Sequence, residues 1–155
     1  MPEVPTLIKT AQLVASAVLL AACGHTIASS FVAQSQLAPP DAFQCVMKEF
    51  EIMGYQRTSY DKSALRTSAH QVNPKITFSN TQFRRTWDRL DVQVQAGAGG
   101  TDVNVTALTE AEYFGQQGPT FSRLEPTADV KQAAATLQQA CSSSATAPAA
   151  SPQQQ

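Results

Sequence analysis

Any chemistry in this chain has to come from few side chains: two histidines, twelve carboxylates, three cysteines and eleven lysines or arginines in 155 residues. His25 and His70 are too far apart in sequence to form a recognisable metal-binding spacing. A lone histidine on a strand is most simply an edge or solvated residue. No serine sits in a Gly-x-Ser-x-Gly elbow. Two carboxylate pairs, Asp88 with Asp91 and Glu110 with Glu112, are close enough to raise acid–base chemistry. At strand spacing, however, Glu110 and Glu112 share one face and make a charged outer surface, while Asp88 and Asp91 point to opposite sides. Gly97, Gly99 and Gly100 are turn glycines, because a phosphate loop would have to open a helix. The expectation is a protein that is not an enzyme, with no catalytic residue, no metal site and no cofactor.

Binding has better candidates. Arg84, Arg85 and Arg89 surround Trp87, the only tryptophan, and arginine with tryptophan is the pairing enriched at interaction hot spots. Residues 113–121 add Tyr113, Phe114 and Phe121 around glycines. Both stretches have the composition of irregular segments, where binding groups concentrate when a rigid sheet holds them. Arg84, Arg85, Trp87, Arg89 and Phe121 are therefore the candidate interaction residues. The competing reading is that Trp87 and Phe121 plug the ends of the sheet while the arginines stay solvated.

The remaining reactive position is a thiol at the end of an apolar run. Leu20, Ala21 and Ala22 precede Cys23, and Gly24 follows. This arrangement resembles a bacterial lipoprotein lipobox. The resemblance implies that Cys23 receives a diacylglyceryl group, that a lipoprotein signal peptidase recognising Leu20, Ala21 and Ala22 cuts before it, and that its freed amine is often acylated. The apolar run 13–22 is about half the roughly twenty residues a membrane span needs, which favours a signal peptide. Lys9 and the amino terminus, opposed by Glu3, supply its thin positive end. Ordinary cleavage at a small-x-small site is the competing reading. Two or three acyl chains on one residue hold a protein firmly, so no polybasic patch is required. In enterobacterial lipoproteins an aspartate after the acylated residue signals inner-membrane retention, so with Gly24 in that place the resemblance implies the outer membrane.

Export would place Cys45 and Cys141 in an oxidising compartment, where an even remaining count implies a disulfide; two buried free thiols are the alternative. Such a bridge closes a loop of nearly a hundred residues, for which loop entropy gives on the order of 4 to 5 kcal/mol.

The elements that must position these groups follow from periodicity. Residues 1–22 form the signal peptide, and 23–40, small and polar up to Pro39 and Pro40, form a lipidated, flexible linker. A small domain occupies 41–141, and 142–155 is a disordered tail of Ser, Ala, Pro and Gln. Asp41 starts a helix in which Phe43, Val46, Met47, Phe50 and Met53 share a face, and Gly54 ends it. Strands follow at 55–60 and 64–72 around a turn at 61–63, and an irregular stretch at 73–85 includes a short strand at 76–78. Leu90, Val92, Val94 and Ala96 alternate with polar residues, as do Val103, Val105 and Ala107 beyond the glycine turn, which makes a hairpin with one wet and one buried face. A last helix starts near 126 and carries Val130, Ala133, Ala134, Leu137 and Cys141 on one stripe.

The expected fold is α+β, a two-layer sandwich in the order helix, four strands, helix, with both helices on one face of an antiparallel sheet. The net charge of -1 argues against a nucleic-acid partner. The expected function is a lipid-anchored, periplasm-facing envelope protein, a non-catalytic interaction or accessory subunit with an envelope protein partner. The alternative is a periplasmic binding module for a small apolar or anionic ligand.

Overall fold

The spine of the molecule is a hairpin of two long strands, β4 (Phe83–Gly97) and β5 (Gly100–Gly115). They pair antiparallel from Phe83↔Tyr113 down to Gly97↔Gly100, leaving Ala98 and Gly99 as a two-residue turn. Gly100 has φ 140°, a backbone region that side chains rarely allow. The computed structural model describes residues 27–142. The expected signal segment with Leu20, Ala21, Ala22 and Cys23, and the tail beyond 142, lie outside the described residues.

Around the spine lie β1 (Ser29–Ser35), β2 (Gln56–Asp61), β3 (Arg66–Asn73) and β6 (Gly118–Leu124). The sheet order is β1-β5-β4-β3-β2, and β6 also pairs with β5. β1 takes residues 101–107 of β5 and β6 takes residues 109–115, so the two short strands lie end to end along one flank. All pairings are antiparallel.

This corrects the expected four-stranded sheet and its order of helix, four strands, helix: the sheet has six strands. The four expected strands are present as β2 to β5, and two more come from stretches with the composition of linker and loop. β1 lies in the segment expected to be a flexible linker; its burial alternates, with Phe31 packed on the core, but the apolar Val32 on the exposed side hides that period in the sequence. β6 has six exposed residues of seven, and therefore no buried-face signal. It tolerates Pro119 because an edge strand has no outer neighbour to receive a missing N–H. β4 also starts at Phe83, earlier than expected, and residues 76–78 form no strand.

One face of the sheet carries the core. Leu90, Val92, Val94, Val103, Val105 and Ala107 are almost fully buried beneath α1 (Pro39–Ile52) and α2 (Ala128–Ser142). α1 begins with Pro39 and Pro40 in its first turn, where missing amides cost nothing, and Asp41 favours its positive end. Gly54, with φ 76°, ends it. Phe43, Val46 and Phe50 bury the expected stripe, and Val130, Ala134, Leu137 and Cys141 do the same for α2. Cys45 and Cys141 form a disulfide that ties the helices together. The buried Ser35 hydroxyl donates to the Cys141 carbonyl at 2.5 Å, satisfying an acceptor that the helix end leaves open. Among the described residues, no helix is long and apolar enough to cross a membrane.

Candidate functional site

Among the described residues, no helix lies over the opposite face of the sheet. Strand alternation decides what it shows: Arg85, Trp87, Arg89 and Asp91 from β4, Glu110 and Glu112 from β5, His70 and Val72 from β3, Phe121 and Arg123 from β6. A hollow of about 380 Å³ lies among Thr58, His70, Trp87, Arg89, Glu110, Glu112 and Phe121, spanning five strands.

Glu112 is the centre of this surface. Its side chain is only 7% exposed, and three donors converge on it. Trp87 Nε1 donates to Oε2 at 2.7 Å, Arg84 Nη1 to Oε1 at 3.0 Å, and Arg85 Nε lies 3.2 Å from Oε2. Two consecutive arginines reach one carboxylate because the register shifts between Phe83 and Arg85, a bulge that leaves Arg84 unpaired and re-aims it. A carboxylate so enclosed needs this many charge-assisted partners to offset its desolvation.

Trp87 is held from both sides. His70 stacks on it with centroids 4.0 Å apart and planes 10° apart, and the Arg85 guanidinium lies 5.1 Å from its ring centroid. Burial, and then the neighbouring Arg89 guanidinium, hold the His70 imidazole below its ordinary pKa, with Glu112 opposing. Arg89 Nε donates to Asp91 at 2.7 Å, and its Nη1 is 3.8 Å from Glu110, which Arg123 approaches at the same distance. The result is a rigid, charge-alternating surface with an aromatic centre. Its carboxylates are engaged as acceptors by Trp87 and the surrounding arginines.

Arg85, Trp87, Arg89 and Phe121 therefore come together on one face, with Arg84 joining through the bulge. Trp87 and Phe121 do not plug the sheet ends, and none of these residues lies in an irregular segment: 84–89 is inside β4, and 113–121 is the β5–β6 hairpin. Glu110 and Glu112 share a face as expected, but Glu112 is buried under its partners rather than forming a charged outer surface. Sequence reasoning missed the grouping of His70, Glu110 and Glu112 with the arginines. The signal was available, since extending the Gly97↔Gly100 register outward sets Arg85 opposite Glu112 and Trp87 opposite Glu110.

Asp88 faces the other way, into the core side, at 5% exposure. It accepts from Thr109 Oγ1 and Asn73 Nδ2 at 2.7 Å and from Thr127 Oγ1 at 3.1 Å. The Thr127 oxygen in turn accepts the Val130 amide at 3.1 Å, capping α2. Asp88 is thus a strut between the sheet and the start of a helix. Beside it, a groove of about 430 Å³ runs between β3 and α2 past Met53, Tyr55, Lys75 and Asp129. Burial, then Asp88 and Asp129, push the Tyr55 phenol well above its usual pKa.

Compared with known proteins, the chain matches no family model and no curated protein.

Proposed function

We propose that this is a lipid-anchored protein of the bacterial cell envelope that acts as a non-catalytic interaction or accessory subunit. Cys23 is the acylated residue, the domain faces the periplasm from the outer membrane, and the helix-free sheet face is the partner-binding surface. One observation carries the reading: Trp87, braced by His70 and Arg85 above a buried Glu112, is pre-organised on the side of the sheet that no layer covers. An aromatic ring with two torsions, and arginines already held by an ion pair, lose less freedom on binding than unrestrained side chains, which favours such clusters at interfaces. The Cys45–Cys141 disulfide supports export, because such bonds persist in oxidising compartments. The lipobox resemblance supports the anchor.

The test is affinity recovery from detergent-solubilised envelopes with the full chain, comparing native protein with Trp87→Ala and with Arg85→Ala. A stoichiometric envelope protein recovered by native chain and lost with both variants, each of which keeps its disulfide, supports the reading. Equal recovery by all three places the contact elsewhere.

The groove between β3 and α2 supports a second reading, a binding module for a small ligand. Met53, Pro74 and Ala133 give it apolar walls, and Lys75 is its one cation among the lining residues. Asp88 and Asp129 disfavour an anion there, so this reading is confined to an apolar ligand. Lipid extracted from purified protein and lost on Ala133→Trp would favour it over the first.

A further inference from the structure

The β5–β6 hairpin carries the two most exposed phenylalanines of the described residues, Phe114 at 59% and Phe121 at 56%. Phe121 stands opposite Glu112 and Phe114 opposite Pro119, so both rings lie at the same corner of the helix-free face. The turn between Gly115 and Gly118 is Gln116 and Gln117, uncharged. Arg84 and Arg123 flank the rings with side chains 42% and 54% exposed, and Arg84 lies over the Phe114 ring at 5.1 Å. The carboxylates they neighbour, Glu112 and Glu110, are recessed at 7% and 15%. What the corner offers to its surroundings is therefore phenyl rings and guanidinium groups. The opposite end of the sheet carries Asp61 and Asp102 beside its turns, and α2 runs out there at Cys141 next to Ser35.

The six residue steps of sequence between Cys23 and Ser29 are enough for both to meet one surface with the aromatic corner. β1 and β6 lie on the same flank of β5, and Ser29 pairs with Ala107. Phe121 sits at the level of Glu112, five residues further along β5, or about 17 Å at strand spacing. Six residue steps separate Ser29 from Cys23, with a reach of about 20 Å when extended. A lipid on Cys23 can thus lie in the membrane while Phe121 touches its surface.

We propose that the β5–β6 hairpin is a membrane-docking corner: Phe114 and Phe121 enter the boundary between headgroups and acyl chains of an anionic phospholipid surface, and Arg84 and Arg123 pair with its phosphates. The proposal rests on the acylation of Cys23 and adds to it a fixed stance of the domain. Aromatic rings favour this interfacial layer, and arginine beside them adds attraction to anionic lipid. Docking by this corner assigns Phe121, at the rim of the Trp87 hollow, to the bilayer and leaves the His70, Trp87 and Arg89 side of that hollow for an envelope partner.

The experiment uses full-length acylated protein reconstituted into vesicles of phosphatidylethanolamine and phosphatidylglycerol with brominated acyl chains. Trp87→Phe/Phe114→Trp reports from the corner, and Trp87→Phe/Tyr60→Trp, on β2, reports from away from it. The corner probe is expected to shift to the blue and lose roughly half its emission, with the β2 probe unchanged. Amide exchange on the unaltered acylated chain is the second readout: residues 113–121 should exchange more slowly in vesicles than in soluble Cys23→Ser protein. Acylated protein that floats with vesicles but shows neither quenching nor slowed exchange overturns docking and leaves the anchor standing. Corner protection seen in native envelopes and absent from pure lipid identifies a protein partner and also overturns it. Protein that carries no acyl chain and does not float refutes the anchor itself.

Discussion

Removing the Glu112 carboxylate should destabilise the fold by about 2 to 4 kcal/mol, and the size follows from what surrounds it. Glu112→Ala leaves the half-buried Trp87 N–H without its 2.7 Å acceptor, which costs about 1 to 3 kcal/mol. It also releases Arg84 and Arg85. Their side chains are 42% and 36% exposed, so water takes over much of their solvation and each adds only about 0.5 kcal/mol. Glu112→Gln keeps the shape and one acceptor while losing the charge, and should cost about half as much. Urea unfolding of the oxidised full chain carrying Cys23→Ser measures both, with the denaturant slope expected to stay constant. A double-mutant cycle with Trp87→Phe isolates the pair and should show coupling of about 1 kcal/mol or more. A loss below about 0.5 kcal/mol for Glu112→Ala, or strict additivity with Trp87→Phe, would refute the view that this carboxylate organises the open face.

Other consequences are equally direct. The Cys45–Cys141 bridge spans a sequence separation of 96, so Cys45→Ser/Cys141→Ser should lower unfolding free energy by up to about 4.7 kcal/mol, the loop-entropy value for about a hundred residues, as read from shifted urea midpoints. Asp88→Ala orphans the Thr109 and Asn73 donors and loosens the Thr127 cap, for a loss of about 3 kcal/mol in the same assay; a loss under about 1 kcal/mol would contradict its role as a strut. The pKa of His70 is lower in the folded protein than in the unfolded chain, so the unfolded state takes up the proton first as pH falls. Its contribution is therefore complete above about pH 6.5 and is lost progressively at lower pH. His70→Gln should flatten that part of the stability–pH curve, and an unchanged curve would remove His70 as its source.

How far the sequence spoke for the structure depended on burial. The alternation from Leu90 to Val94 and from Val103 to Ala107 was legible because one side of each strand is sealed by helices, and the turn glycines fixed its register. Both helices were legible for the same reason. β1 and β6 were not: an edge strand buries at most one weak face, and Phe31 beside an exposed Val32 cancels the period-two signal. The site was half legible. The mixture of Arg84, Arg85, Trp87 and Arg89 singled out a stretch whose side chains share one patch, but its composition hid that β4 already runs through it. The buried role of Glu112 was obscured because a carboxylate on an open sheet face is ordinarily solvated, and only the bulge at Arg84 brings a second guanidinium over it.

Fatty-acid labelling of growing cells, with the native chain compared to Cys23→Ser, tests the whole account most directly. Covalent label on the native protein, none on the serine version, and recovery of only the former with the outer membrane is the predicted result. No label on either protein, with both in the cytosol, would contradict the anchor, the oxidising compartment and the envelope role at once.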